Sequence, residues 1–384
     1  MARPSVLIVG GGLMGCASAW QLAKRGCSVL VLERSVPGAE ASSAAAGILG
    51  GQVESHQLDA MTELCLESRA LYPAWAKALS KSTGIDIEHR PSGALRVAFG
   101  VERLGQLKQQ FGWQRRAHGA AFLGKRQLRS LESNLSQALV GAVDFPADSR
   151  VDPRKLFRAL QLAAQNAGAR FQSGSYVQQL DVDAASQTVR GVVLEGGKRL
   201  EAQRVVLAAG SWSTLIPGVP LPRPSIVPAR GQVLQLTCRT PPLTRIVFGP
   251  RCYLVPRDDG RVLVGSTLEF VGYEKRVTAH AVRELLDAAI DLCPALADAE
   301  LSDSWSNFRP YTSDHWPILG PCAISGLVLA TGHYRNGILL APVTADIVCR
   351  SVLGQRQQID IAAFSARRAA VQSPREAQTA ESKT

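Results

Sequence analysis

The sequence predicts an α/β chain of two domains, α+β in overall make-up: a half built on a central parallel sheet, interrupted twice by a half made of antiparallel strands. Three observations predict it. From Ser5 to Glu33 a strand, a glycine turn, a helix and a second strand follow one another. Two further apolar strands, far along the chain, also run into glycine turns. Between these returns lie segments of alternating apolar and polar residues bounded by turn residues, the mark of half-buried antiparallel strands.

The 384 residues, 46% of them hydrophobic and 20% charged, are enough for one large or two ordinary domains with a sizeable core. No apolar run reaches the length of about 18 residues that a membrane span needs, so a soluble, cytoplasmic protein is expected. The net charge, 43 basic against 32 acidic residues, is +11, but the basic residues are spread along the whole chain and predict a solvated surface rather than a nucleic-acid site. Eight cysteines without C-x-x-C spacing read as reduced thiols. The six histidines show no paired ligand spacing and no G-x-S-x-G occurs, so neither a metal site nor a serine hydrolase is expected.

Ser5 to Val9 is a short apolar strand, followed by Gly10-Gly11-Gly12-Leu13-Met14-Gly15, a helix closing on Lys24-Arg25-Gly26, and a second strand ending at Glu33. Gly10 permits the tight turn, Gly12 lets backbone N–H groups approach a pyrophosphate, and Gly15 allows the helix to pack closely on the strand. Glu33 stands where an acid can accept both ribose hydroxyls. Together they predict a Rossmann-like dinucleotide site. In the following run of small residues, Ala41 to Gly51, backbone can approach a flat ligand, and Ser42 or Ser43 can cap a short helix. Leu58, Met61, Leu64, Leu71, Trp75 and Leu79 recur at helical spacing and read as the buried face of a core helix.

From Ser92 to Gly265 the pattern predicts mainly strands, with one helix from Pro153 to Gly168. Arg204 to Ala208 is a buried strand running into Ala209-Gly210-Ser211-Trp212. Leu327 to Ala330 is another, running into His333-Tyr334-Arg335-Asn336-Gly337 ahead of a helix from Ile338 to about Val352. Three such turns suggest one sheet whose strand ends meet at a single ligand. Cys252 to Gly265 predicts a hairpin around an Asp-Gly turn. Ser302 to Arg309 alternates, with Trp305, Asn307 and Arg309 on one face, and Pro310 is expected to end it. The predicted domains are 1–85, 145–215 and 320–366 for the dinucleotide half, and 86–144 and 216–319 for the substrate half, with a disordered tail over 370–384.

The segments VGGGLMG, SSAAAGILGG, CYLVPRDDGRVLVGSTLE, FRP..SD..PILG and GHYRNGILLAP resemble the D-amino-acid-oxidase family of FAD-dependent amine oxidoreductases, and within it the glycine oxidase branch tied to bacterial thiamine biosynthesis. The resemblance implies noncovalent FAD, with its pyrophosphate over Leu13 and Met14, its ribose on Glu33, and contacts from Arg34, Ser42, Ala46, Gly47, Ile48 and Val177. The loop from His333 to Leu339, including Ile338, would hold the pyrimidine end of the ring. Arg309 would bind a substrate carboxylate, Tyr253 would add a hydrogen bond to it, and the Arg335 backbone carbonyl would accept from the amine.

No residue is implied as acid or base for the hydride step. The expected reaction is oxidation of glycine, sarcosine or another small amine with oxygen as acceptor. A thiazole synthase would be the pathway partner, and homo-oligomers are conceivable. Alternatives are a sarcosine or D-amino acid oxidase or dehydrogenase and a tRNA-modifying flavoprotein. Tyr311, His315, Trp316, Arg251 and Leu268 depart from the family pattern and are expected near the pocket mouth, with Tyr311 narrowing it.

Overall fold

In the computed structural model, which describes residues 5–368, the chain forms two large sheets with a cleft between them. The predicted 370–384 tail lies outside the described residues. The six-stranded sheet has the spatial order Ile318–Pro321, Leu327–Thr331, Arg204–Leu207, Ser5–Val9, Ser28–Leu32 and Arg170–Gln172. All its pairings are parallel except the first, where Ile318 faces Thr331. Its strands are apolar on both faces because helices cover them. Leu13–Lys24, Ala60–Thr83, Pro153–Asn166 and Gly337–Val352 share one core with its strands.

The eight-stranded sheet runs Glu300–Tyr311, Val227–Thr237, Arg261–Gly265, Tyr253–Pro256, Ile246–Phe248, Ala94–Ala98, Gly141–Phe145 and Ala121–Gly124. All of its pairings are antiparallel apart from Ile246–Phe248 with Ala94–Ala98. The expected hairpin is there, turning at Asp259-Gly260. A separate three-stranded antiparallel sheet, Val177–Asp183, Thr188–Leu194 and Arg199–Glu201, packs on the six-stranded one.

Several expectations need correction. Pro310 does not end its strand, which runs from Glu300 to Tyr311. The strand lies at the sheet edge, where the missing N–H costs no ladder bond. The stretch from Ser92 to Gly265 holds more helix than expected: Val101–Gln110, Gln114–Ala117 and Lys125–Leu131 form between strands, each burying only one or two residues. Leu58 precedes the Ala60–Thr83 helix and is 63% exposed, and Leu71 lies on its outer face. Asp59 caps that helix by accepting from the Thr62 amide at 2.8 Å.

The Gly337–Val352 helix contains Pro342, which has no N–H to offer the Ile338 carbonyl four residues back. Tyr72, fully buried, donates its hydroxyl to that carbonyl instead. Ser68, one turn earlier on the same helix, donates to the Leu339 carbonyl at 2.6 Å and accepts from the Val343 amide at 3.4 Å, entering the hydrogen-bond ladder at the bend. Removing either hydroxyl leaves a buried carbonyl without its donor, so Tyr72→Phe and Ser68→Ala should each lower stability by about 1–3 kcal/mol in urea titrations. Equal midpoints in wild type and variants would show that the bend is held by packing alone.

Candidate active site

The cleft of about 1900 Å³, part of it open to solvent, is lined by strand ends of the six-stranded sheet on one side and by the face of the eight-stranded sheet on the other. Its first wall is backbone. Gly10 (φ +106°) lies so close to the neighbouring strand that a methyl group there would come within 2.5 Å of the Ala208 carbonyl oxygen. A methyl at Gly15 would overlap the Gly10 carbonyl, so the first helix sits directly on its strand. Gly12, Leu13 and Met14 then open that helix into the cleft.

Ser42 lies inside the short Ala41–Ala44 helix rather than capping it, and caps another: its hydroxyl accepts from the Leu13 amide at 2.8 Å. Ser43 does not line the cleft and donates to the Gly38 carbonyl at 2.7 Å. Glu33 accepts from the Gly11 amide at 2.8 Å and the Ser35 amide at 3.0 Å, which fixes its carboxylate at the cleft edge. Arg34 stacks its guanidinium 3.9 Å from the centre of the Trp212 ring.

Ala46, Gly47, Ile48, Val177, Ala209, Gly210 and Trp212 also line the cleft. Beside them is Ser211, whose side-chain oxygen is buried with no hydrogen-bond partner. Backbone that admits no Cβ along this wall fits a ligand that approaches closely.

At the far end, His333, Tyr334, Arg335, Gly337 and Ile338 contribute. The His333 side chain turns away from the cleft and meets the Thr344 hydroxyl at 3.0 Å inside the core, and burial pushes its pKa down to about 3. Asn336 and Leu339 do not line the cleft: Asn336 closes the turn through its amide on the His333 carbonyl, and the Leu339 carbonyl is held by Ser68. The Arg335 side chain pairs at 2.8 Å with Glu54, which also lines the cleft.

Arg309 and Tyr253 meet on the other wall. The Arg309 guanidinium donates to the Ser266 hydroxyl at 2.5 Å and the Thr267 carbonyl at 3.3 Å. Among the described residues it makes no ion pair with a carboxylate. It lies flat against Gly231, diagonal to it across the strand pair, where any side chain would overlap its nitrogens. Tyr253 is matched across the hairpin by Gly265, and its ring covers the space a Cβ would take. Two glycines in sheet interiors thus make room for two polar side chains. A guanidinium in a half-buried wall with no carboxylate partner among the described residues is suited to bind a carboxylate.

The expected pocket-mouth residues lie elsewhere. Because its strand continues past Pro310, Tyr311 is carried beyond the cleft end. It is fully buried there, its ring 5.0 Å from both Phe270 and Tyr334 and 5.4 Å from His315. Leu268 packs on the same cluster and Trp316 packs on Phe364. Arg251 is on the surface, paired with Asp291. Tyr311 therefore does not narrow the cleft directly; it backs Tyr334. Sequence reasoning missed Ser211, Gly231, Glu54 and Ser266, of which only Gly231, a glycine inside an alternating strand, carried a local signal.

The family model for DAO, FAD dependent oxidoreductase, matches residues 5–351. The chain belongs to this family. It is 38% identical over 370 residues to the bifunctional protein ThiO/ThiG of Synechocystis sp., covering 94% of this chain and 54% of that one, so the chain spans about half the length of that relative. It is 37% identical to the glycine oxidase of Geobacillus kaustophilus, covering 94% of this chain and 96% of that protein. The crystal structure of the latter superposes with a TM-score of 0.90 over 96% of this chain and all of the other. FAD is the cofactor of the family, and the bare backbone wall and Glu33 fit it.

Two expected outcomes follow from the geometry. His333 is neutral in the fold, whereas in the unfolded chain it takes a proton below about pH 6.5. Between that pH and about 3 the unfolded state binds more protons, so stability falls as pH falls. Urea midpoints at pH 7 and pH 5 should show the wild type losing about 2 kcal/mol more than His333→Gln, and parallel losses would contradict a buried neutral imidazole. Gly231→Ala should push the Arg309 guanidinium off its seat and weaken binding of a simple carboxylate such as acetate at least about tenfold, read from flavin absorbance, with FAD still bound. Unchanged acetate binding would place the carboxylate site elsewhere.

Proposed function

We propose that the protein oxidises glycine, or a comparably small amine such as sarcosine or a small D-amino acid, with oxygen as acceptor. The observation that carries this reading is the Arg309 guanidinium, without a carboxylate partner among the described residues, lining together with Tyr253 a cleft with a dinucleotide-type backbone wall. When bound, FAD supplies the two-electron acceptor for the hydride from the substrate Cα.

The chain's own residues then have positioning tasks. Arg309 holds the carboxylate through its two-pronged fork, Tyr253 adds a hydrogen bond from its hydroxyl, and the Arg335 backbone carbonyl accepts from the amine. No side chain is needed to take the hydride or to act as its acid or base. Loss of hydride from Cα and of a proton from nitrogen leaves an imine, which water converts to a 2-oxo acid and ammonia or amine, while oxygen is reduced to hydrogen peroxide.

The cofactor-binding roles of Gly10, Gly12, Leu13, Met14, Glu33, Arg34, Ala46, Gly47, Ile48, Val177, Ala209, Gly210 and Trp212 belong to the same proposal. So does the division into an FAD half around the six-stranded sheet and a substrate half around the eight-stranded one. The relatives named glycine oxidase support the substrate, and those named ThiO/ThiG support a place in thiamine thiazole formation beside a thiazole synthase.

No helix among the described residues is long and apolar enough to cross a membrane, which is compatible with a cytoplasmic setting. An amine panel with an oxygen electrode tests the reading: glycine and sarcosine should consume oxygen and yield peroxide. Arg309→Lys should raise the KM for both at least about tenfold with a native flavin spectrum. Equal loss for amines that lack a carboxylate would end the anchoring role of Arg309.

A further inference from the structure

A fully buried cation lies behind the cleft wall and has no part in the reaction as described. Arg257, at the end of the Tyr253–Pro256 strand, is 1% exposed. Its guanidinium donates to the Val151 carbonyl at 2.9 Å and to the Ala46 carbonyl at 2.7 Å. These two segments also bind each other, since the Val151 amide donates to the Gly47 carbonyl at 2.9 Å. Ala46, Gly47 and Ile48 line the cleft, so Arg257 stands directly behind that stretch of wall.

The charge on Arg257 is left without a counter-ion. Among the described residues it forms no ion pair, while every acid that faces it is engaged by another cation. Asp152 pairs with Arg261 at 3.4 Å and caps the Pro153–Asn166 helix, and Glu88 binds Lys155. Asp258 in the adjoining turn pairs with Arg90 and Arg150, and Arg150 and Arg261 add positive charge nearby. Burying a lone charge costs several kcal/mol, and two neutral carbonyls could be satisfied by uncharged donors far more cheaply. A cation kept under such a cost suits a site that itself acquires negative charge. In a trans peptide the C=O and N–H point in opposite directions, so the unit whose carbonyl Arg257 holds directs the Gly47 N–H away from Arg257, and a cation on the carbonyl sharpens that N–H as a donor.

We propose that Arg257 is a positioning residue for the Ala46–Ile48 wall and also a fixed positive charge that stabilises the negative charge carried by the reduced cofactor. This rests on the FAD reading above. Its effect falls on the cofactor's electron affinity and leaves substrate anchoring to Arg309.

The test uses holoprotein and sulfite, whose adduct with oxidised flavin places negative charge on the ring and is read from loss of the visible flavin band. Arg257→Gln should weaken sulfite binding at least about tenfold, whereas Arg257→Lys, which keeps the charge with fewer contacts, should stay within about threefold of wild type. Sulfite affinity unchanged in Arg257→Gln, or lost equally in both variants, would reduce Arg257 to a structural brace. Asp152→Asn covers the case in which Arg257→Gln yields no folded holoprotein, because asparagine still caps the helix. Removing the acid that faces Arg257 should tighten sulfite binding by about threefold, a direction that damage to the fold would not produce, and unchanged or weaker binding overturns the proposal. A wild type that binds no FAD would instead overturn the functional reading itself.

Discussion

The structure depends on one close approach, that of the first helix to the first strand, where a methyl group at Gly15 would overlap the Gly10 carbonyl. With no side chain between them, the helix begins at the strand end, and Gly12, Leu13 and Met14 are delivered to the cleft rather than to the surface. Two side chains lock the turn from other segments. Glu33 takes the Gly11 amide and Ser42 takes the Leu13 amide, so two other stretches of chain converge on the turn. A ligand bound there meets a wall already fixed, and the ordering cost is met at folding.

The opposite wall repeats the device in antiparallel geometry. In such a pair, residues opposite or diagonal share one face, so a bare position on one strand can seat a long side chain from its neighbour. Gly231 seats Arg309 and Gly265 seats Tyr253. The charge balance separates two of the arginines that line the cleft. Arg335 is neutralised by Glu54, whereas Arg309 has only a hydroxyl and a carbonyl. Among the described residues an anion entering the cleft therefore meets, at Arg309, a guanidinium with no carboxylate partner, and the proposed anchoring of a carboxylate rests on that imbalance.

Much of this was legible in local sequence. A glycine turn between apolar strand and helix, an Asp-Gly hairpin and a Pro-led helix are all specified by neighbours in the chain. The short helices between Val101 and Leu131 were not, because each buries so little that its periodicity dissolves among the strands. The local sequence misplaces Tyr311, because Pro310 reads as a stop and an edge strand does not obey that rule. Contacts between distant segments left no local trace. Arg257 and Ala46 are 211 positions apart, and Arg335 and Glu54 are 281 apart.

The Ala60–Thr83 helix, which the sequence presents as plain core, shows how such distant contacts organise the cleft. Ser68 and Tyr72 supply donors to the Leu339 and Ile338 carbonyls where Pro342 interrupts the last helix's hydrogen-bond ladder. Arg69, between them in sequence, reaches the other way, donating to Asp148 at 2.5 Å and to Gln52 at 2.9 Å. Asp148 in turn accepts from the Gln52 and Val53 amides, immediately before Glu54. Segments adjoining both members of the Glu54–Arg335 pair are thus tied, through different side chains, to one turn of the same helix. The pair itself joins residues 281 positions apart in the chain.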